Sequence, residues 1–146
     1  MAKTYKVNSF AQFGNTMSEL MIRLGIGPGG MHVLRTRGRK TGLRRATPVN
    51  LINYQGSRWL VAPYGPVGWV HNVRAAGEAE LLRGTKAERV RLAEATPEQA
   101  APVLRTYLKQ LKLVVGPYFD VTPTSPDAAI IAEAPRHPVF RVSKTD

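Results

Sequence analysis

The sequence contains no cysteine, which excludes disulfides, thiolate nucleophiles and Cys-ligated zinc together and fits a reducing cytoplasm. It is also poor in acid, with 10 Asp and Glu against 21 Lys and Arg, a formal net charge of +11. No acid lies between Glu19 and Glu78, a stretch that holds Arg23, Arg35, Arg37, Arg39, Lys40, Arg44, Arg45, Arg58 and Arg74. No apolar run approaches the ~18 residues of a membrane-spanning helix. Met1 to Asn8 carries Lys3 and Lys6 with no useful apolar run behind them, so no secretory signal is expected. Catalytic constellations are scarce. His32, His71 and His137 show no metal-ligand spacing, so no metal site is expected, and there is no G-x-S-x-G elbow, G-x-G-x-x-G turn or Walker run. Any chemistry is therefore expected to come from a bound cofactor.

What is present begins with size. A chain of 146 residues that is 43% hydrophobic is expected to form one globular domain with a genuine core. The most informative segment is Arg35-Thr36-Arg37-Gly38-Arg39-Lys40-Thr41-Gly42-Leu43-Arg44-Arg45-Ala46-Thr47-Pro48. It places six cations and no acid between two apolar stretches that alternate like strands. Polybasic runs are usually disordered, but this one reads as a hairpin, with Gly38 and Gly42 bracketing the tip. Glycines permit a tight turn whose N–H groups point outward together. With Arg and Lys alongside, such a turn suits a ligand carrying phosphate or several carboxylates. Charge alone does not choose among such a ligand, nucleic acid and an anionic membrane.

Periodicity assigns the elements. Ser9 to Leu24 reads as a helix whose stripe of Phe10, Phe13, Met17, Leu20, Met21 and Leu24 ends at the Gly25–Gly30 breaker. The stripe is expected to pack on the barrel or cover a pocket; the alternative is an interfacial helix touching membrane. Strands are expected at Met31–Arg37, Leu43–Tyr54 and Ser57–Pro63, with Trp59 and Val61 on one face and Leu60 and Ala62 on the other. Pro48 suggests an edge or a bulge. A short helix from Trp69 to Ala76 ends at Gly77, and a hairpin turns at Gly84-Thr85 between Ala79–Arg83 and Lys86–Ala95. Thr96-Pro97-Glu98-Gln99 is a capping box opening a helix that Pro102 is expected to bend or delay. A helical turn over Asp127–Glu133 and a strand at Val139–Val142 complete the chain. About six strands joined by hairpins, with three helices, predict a mainly β, α+β fold: a small antiparallel barrel with helices outside. Residues 1–30 are expected to form the helix and Gly-rich linker, and 31–146 the barrel of a single domain.

A second block runs from Leu60 to Ala75. A strand ending in the Gly/Pro-rich loop Pro63-Tyr64-Gly65-Pro66-Val67-Gly68 exposes backbone groups able to address the edge of a flat heterocycle. Trp69 and Asn72 then open a helix whose N–H groups favour an anion or a polarised carbonyl. Equally, Trp69 fills the core and Asn72 caps a turn.

Together these blocks, G-R-K-T-G-x-x-R-x-x-P, V-A-x-x-G and W-x-x-N-x-x-A, resemble the deazaflavin-dependent nitroreductases, actinobacterial reductases that use coenzyme F420. The resemblance runs from about Met31 to Arg83 and more loosely to the final strand. Two positions depart from the family pattern: Pro63-Tyr64 stands where many members have a small residue, and Val70 where others have Tyr. The resemblance implies a split β-barrel of the flavin- and deazaflavin-binding type and a cytoplasmic F420H2-dependent reductase acting on quinones, activated enones or nitro compounds. It implies that Arg39, Lys40 and Arg45, with Thr41, Arg44 and Pro48 nearby, hold the phosphodiester and glutamate tail. Val61, Ala62, Pro63, Tyr64 and Gly65 would face the ring edge, and Trp69, Asn72 and Arg74 would complete the ring end. Tyr118 would orient the acceptor or donate a proton. FMN on the same barrel is the alternative cofactor. The expected partner is a small-molecule hydride acceptor. No nucleic acid is expected, since only Tyr54, Trp59 and Tyr64 lie near the basic strands. Peripheral membrane contact through residues 9–24 is an open alternative, as are monomer and homodimer.

Overall fold

The computed structural model describes residues 31–145, apart from the side chains of 112–115. The expected N-terminal helix and Gly-rich linker lie outside the described residues. The described residues form six strands: β1 (Met31–Arg37), β2 (Arg44–Tyr54), β3 (Ser57–Val61), β4 (Glu78–Arg83), β5 (Lys86–Glu94) and β6 (Val139–Lys144). They close into an antiparallel barrel in the order β1-β2-β3-β6-β5-β4. Three helices are interspersed: α1 (Gly68–Ala76), α2 (Pro97–Val115) and α3 (Asp127–Glu133). None of the described helices is long and apolar enough to cross a membrane.

Strand alternation sorts most buried side chains into two large cores, with Val33 and Leu82 forming a small third cluster. Leu34, Val49, Leu60, Ala62, Leu81, Val90, Leu92, Phe140 and Val142 fill one with Trp69, Val70 and Val73 of α1. On the opposite strand faces, Ile52, Val61 and Val139 pack with Ala100, Val103, Leu104, Tyr107 and Leu108 of α2 and with Ile130 of α3. The expected division of β3, with Leu60 and Ala62 on one face and Val61 and Trp59 on the other, is the one observed. α1 is not merely peripheral: its apolar side completes the first core, and it ends at Gly77, whose φ of 73° is the left-handed cap conformation.

The barrel is closed unevenly. β1 pairs with β4 only from Val33↔Leu82 to Arg35↔Glu80. β2 pairs with β3 only from Leu51↔Leu60 onward. The β1–β2 ladder, however, runs on to Arg37↔Arg44. The tip of this hairpin therefore leaves the barrel as a two-stranded arm. Pro48 sits in the part of β2 that pairs with β1 alone, so its lack of an N–H falls where one side of the strand has no ladder to lose.

The capping box of α2 forms in both directions: the Thr96 amide donates to Gln99 Oε1 at 3.0 Å, and the Gln99 amide to Thr96 Oγ1 at 3.2 Å. Pro102 does not delay the helix, which starts at Pro97; the non-helical residue is Leu111, with φ −124° and ψ 17°. The carbonyl that Pro102 leaves without a helical donor belongs to Glu98, which is exposed to solvent.

Candidate functional site

The basic arm is shaped by its own backbone. The Gly38 amide donates to Leu43 O at 2.7 Å and the Gly42 amide to Gly38 O at 2.8 Å. Gly42 has φ 71°, and a Cβ on Gly38 would stand 2.9 Å from Thr41 Oγ1 and 3.2 Å from Leu43 O, so both glycines are needed for this tip. Arg39, Lys40, Thr41, Arg44 and Arg45 are all exposed on it. Arg37 stands directly across from Arg44 in the ladder. Like charges at facing positions destabilise a sheet, and among the described residues neither has an acidic partner. An anion lying along the arm would relieve that repulsion.

The arm is fastened to α1 by Asn72. Its Nδ2 donates to Thr36 Oγ1 at 3.1 Å, while its Oδ1 accepts from the Arg39 amide and from Arg39 Nη1, each at 3.2 Å. Asn72 and Thr36 are buried. The side chain expected at the ring end thus holds the cationic tip in place. Trp69 is buried and packs on Phe140 with ring centroids 5.8 Å apart, the core reading of this residue. Arg74 points elsewhere, into a two-pronged ion pair with Glu94 at 2.7 and 2.8 Å that raises the guanidinium pKa.

The β3 exit loop joins the arm and α1 to a second cluster. Val61 and Ala62 are buried, and the Gly65 amide turns back to Ala62 O at 3.2 Å. Gly65 has φ 90°, and a Cβ there would meet Arg136 O at 3.4 Å. Tyr64, partly exposed, meets Tyr118 edge-on with centroids 4.7 Å apart. Tyr118 belongs to the short 3-10 turn Gly116–Tyr118 that follows α2. Next to it Phe119 stacks on His137 at 3.7 Å, and Tyr107 lies 6.4 Å from Phe119. Burial, then the nearby Tyr64, pushes the Tyr107 phenol well above its ordinary value, so it stays protonated.

Sequence reasoning missed His137 and Glu133. His137 Nε2 lies 2.7 Å from Glu133 Oε2 and Nδ1 lies 2.9 Å from Pro63 O, with both side chains buried. Glu133 Oε2 also accepts from the Asp120 amide at 3.2 Å. Burial lowers the His137 pKa, against the pull of the Glu133 hydrogen bond and charge and of the Pro63 carbonyl. The i, i+4 spacing was the available signal, but it is indistinguishable from a solvated pair on a helix surface.

Where β1 and β4 part, a cleft of about 490 Å³ opens, lined by Arg35, Arg37, Arg44, Glu78, Glu80 and Arg89 among others. Arg35 is paired with Glu80 at 3.1 Å and Arg89 with Glu78 at 3.3 Å. No cluster of potential metal ligands occurs among the described residues.

The model of the F420H(2)-dependent quinone reductase family matches residues 11–121 of this chain. The chain belongs to that family. It is accordingly an F420H2-dependent reductase, and the match favours coenzyme F420 over FMN. No curated protein matches the chain. Among solved structures it resembles a nimC/nimA family protein from Clostridium acetobutylicum, with 12% identity and TM-score 0.51 over 89% of this chain and 82% of that one. General Stress Protein 26 from Bacillus anthracis is similar at 10% identity and TM-score 0.51, over 87% and 88% of the two chains. A conserved hypothetical protein from Mycobacterium tuberculosis is similar at 14% and 0.50, over 100% and 86%. At these identities the likeness concerns the fold, and it agrees with a split barrel.

The residues fit the family's cofactor, a long polyanion ending in a flat ring. The arm presents cations without acidic partners and is tied by Asn72 to α1, and the loop leading into α1 presents a backbone turn.

Proposed function

We propose that this reductase acts on an electron-poor ring, a quinone foremost, with activated enones and nitro compounds as further acceptors. The observation that carries the reading is the Asn72 clasp, which fastens a cation-rich arm to α1, the helix into which the Pro63–Gly68 loop leads. When bound, the reduced deazaflavin supplies a hydride to the acceptor, and the accompanying proton comes from water or a nearby hydroxyl. Lys40, Arg39 and Arg45, with Thr41 and Arg44, would bind phosphate and carboxylates by charge-assisted hydrogen bonds. The backbone of residues 61–65 would orient the ring. Trp69 would act from the core beneath the site, and Arg74, paired with Glu94, would support α1. Tyr64 and Tyr118 would flank the acceptor, with the Tyr118 hydroxyl orienting it or donating the proton.

Fluorescence titration with F420 tests the cofactor, and an acceptor screen with the reduced form tests the reaction. Saturable F420 binding with quinone turnover is expected. Binding of FMN in preference to F420, judged by the absorbance of the loaded protein, would sink the reading. A cytoplasmic location is part of the proposal. Co-sedimentation with anionic vesicles would favour the alternative, contact of residues 9–24 with a membrane.

A further inference from the structure

Burying a polar side chain is unfavourable unless all its hydrogen bonds are made. Among the described residues, four are buried polar or charged: Thr36, Asn72, Glu133 and His137. They form two contacting pairs, at 3.1 and 2.7 Å. The first pair holds the basic arm. The second is bonded to the two segments that carry Tyr64 and Tyr118.

His137 follows α3 and its terminal 3-10 turn, and its imidazole reaches back to Pro63 O, one residue before Tyr64. Glu133, at the end of α3, reaches the Asp120 amide, two residues after Tyr118. Arg136 braces the same junction, with Nη1 at 2.7 Å from Asp120 Oδ2 and 3.2 Å from Glu133 Oε1. The ring of Phe119, nearly parallel to His137 at 16°, closes the sandwich from the Tyr118 side. With Pro63 O as an acceptor, Nδ1 must carry a hydrogen, and the short Nε2–Oε2 contact needs another. The pair thus holds one proton in common, on the imidazole or on the carboxyl. Tyr64 and Tyr118, each within two residues of an atom this junction holds, meet edge-on. Their mutual placement depends on two loops with no strand ladder between them.

We propose that Glu133 and His137 are positioning residues for the acceptor: by clasping the Pro63 carbonyl and the Asp120 amide they hold Tyr64 and Tyr118 as one aromatic wall for an electron-poor ring. This rests on the reductase reading, and it adds residues outside the motifs that identify the family. Neither side chain touches the acceptor; both act through the tyrosines.

The test compares the parent with His137→Phe, Glu133→Ala and Glu133→Gln, using 1,4-naphthoquinone as probe. His137→Phe keeps the stack on Phe119 and removes both hydrogen bonds. Glu133→Ala frees the Asp120 amide, and Glu133→Gln retains an acceptor for it. Quinone affinity, read by quenching of intrinsic fluorescence with and without F420, should fall about ten-fold in the first two variants, the worth of one charge-assisted hydrogen bond. Glu133→Gln should stay within roughly three-fold of the parent. F420 affinity, carried chiefly by the basic arm, should fall less than quinone affinity in all three, and in turnover KM for the quinone should rise more than kcat falls. Amide exchange at Gly65 and Asp120 should quicken in Glu133→Ala and be restored in Glu133→Gln. Unaltered quinone affinity in Glu133→Ala would overturn the proposal, as would equal losses for quinone and F420. If His137→Phe does not fold, the two Glu133 variants decide alone. A parent that binds quinone but no F420 would instead refute the cofactor reading.

Discussion

In the proposed site Asn72 is the residue on which the cofactor end turns, although it is shielded from solvent. Asn72→Ala would leave the buried Thr36 hydroxyl and the Arg39 amide without a partner, at about 1–3 kcal/mol for an unsatisfied group. A lower urea midpoint is expected, together with weaker F420 binding because the tip loses its anchor. Unchanged binding would show that the tip needs no anchor. At Tyr118 the expectation is reversed. Tyr118→Phe should leave F420 affinity intact and lower turnover, by up to ~10²–10⁴-fold if the hydroxyl is a general acid and far less if it only positions. Unaltered turnover on several acceptors would assign Tyr118 to packing with Tyr64. Single residues were also where the sequence was least legible. Trp69 and Asn72 suit a core or a site equally well by type, and only the contacts to Phe140 and Thr36 separate the readings. Glu133 and His137 carried only an ambiguous i, i+4 spacing, since their value arises from Pro63 and Asp120, distant in sequence.

Elements were more legible, because strand alternation and turn glycines are local signals. β1, β4, β5 and α3 fall where periodicity places them, and the capping box opens α2 at Thr96. Pro102 misled because a proline near a helix start deprives only a solvent-facing carbonyl, whereas the irregularity at Leu111 follows no residue with a strong local preference. Between elements, Arg58 of β3 reaches across β6 to Glu88 of β5, with bonds of 2.7 and 2.9 Å. The Arg58 hydrogen bond, and after it burial working the other way, leaves the Glu88 pKa below its ordinary value. A carboxylate depressed in the folded state contributes stability above its unfolded pKa and loses it as pH falls through the folded one. The melting temperature of the parent should therefore exceed that of Glu88→Gln at neutral pH, and the gap should close in the acid range below pH ~4. A gap that persists unchanged there would remove this ion pair from the acid response.

The barrel class followed from six alternating strands and its split from the family resemblance, but where each ladder stops could not be read, since that depends on register between distant strands. That split releases the arm, and the charge distribution makes it cationic. If the glutamate tail lies along the arm, cofactor with a longer tail should bind more tightly. The advantage should shrink with salt, because exposed charges are screened over ~8 Å at physiological ionic strength. Equal affinity for long and short tails at low salt would confine recognition to phosphate and ring. The central claim is that this arm is the anion site of an F420 enzyme, and the most direct measurement is an equilibrium titration of parent and Lys40→Ala with F420 at low salt. The account predicts saturable binding by the parent and a roughly ten- to hundred-fold weaker dissociation constant for the variant, the loss of ~1.5–3 kcal/mol from one charged hydrogen bond. Equal affinity of the two proteins would contradict it.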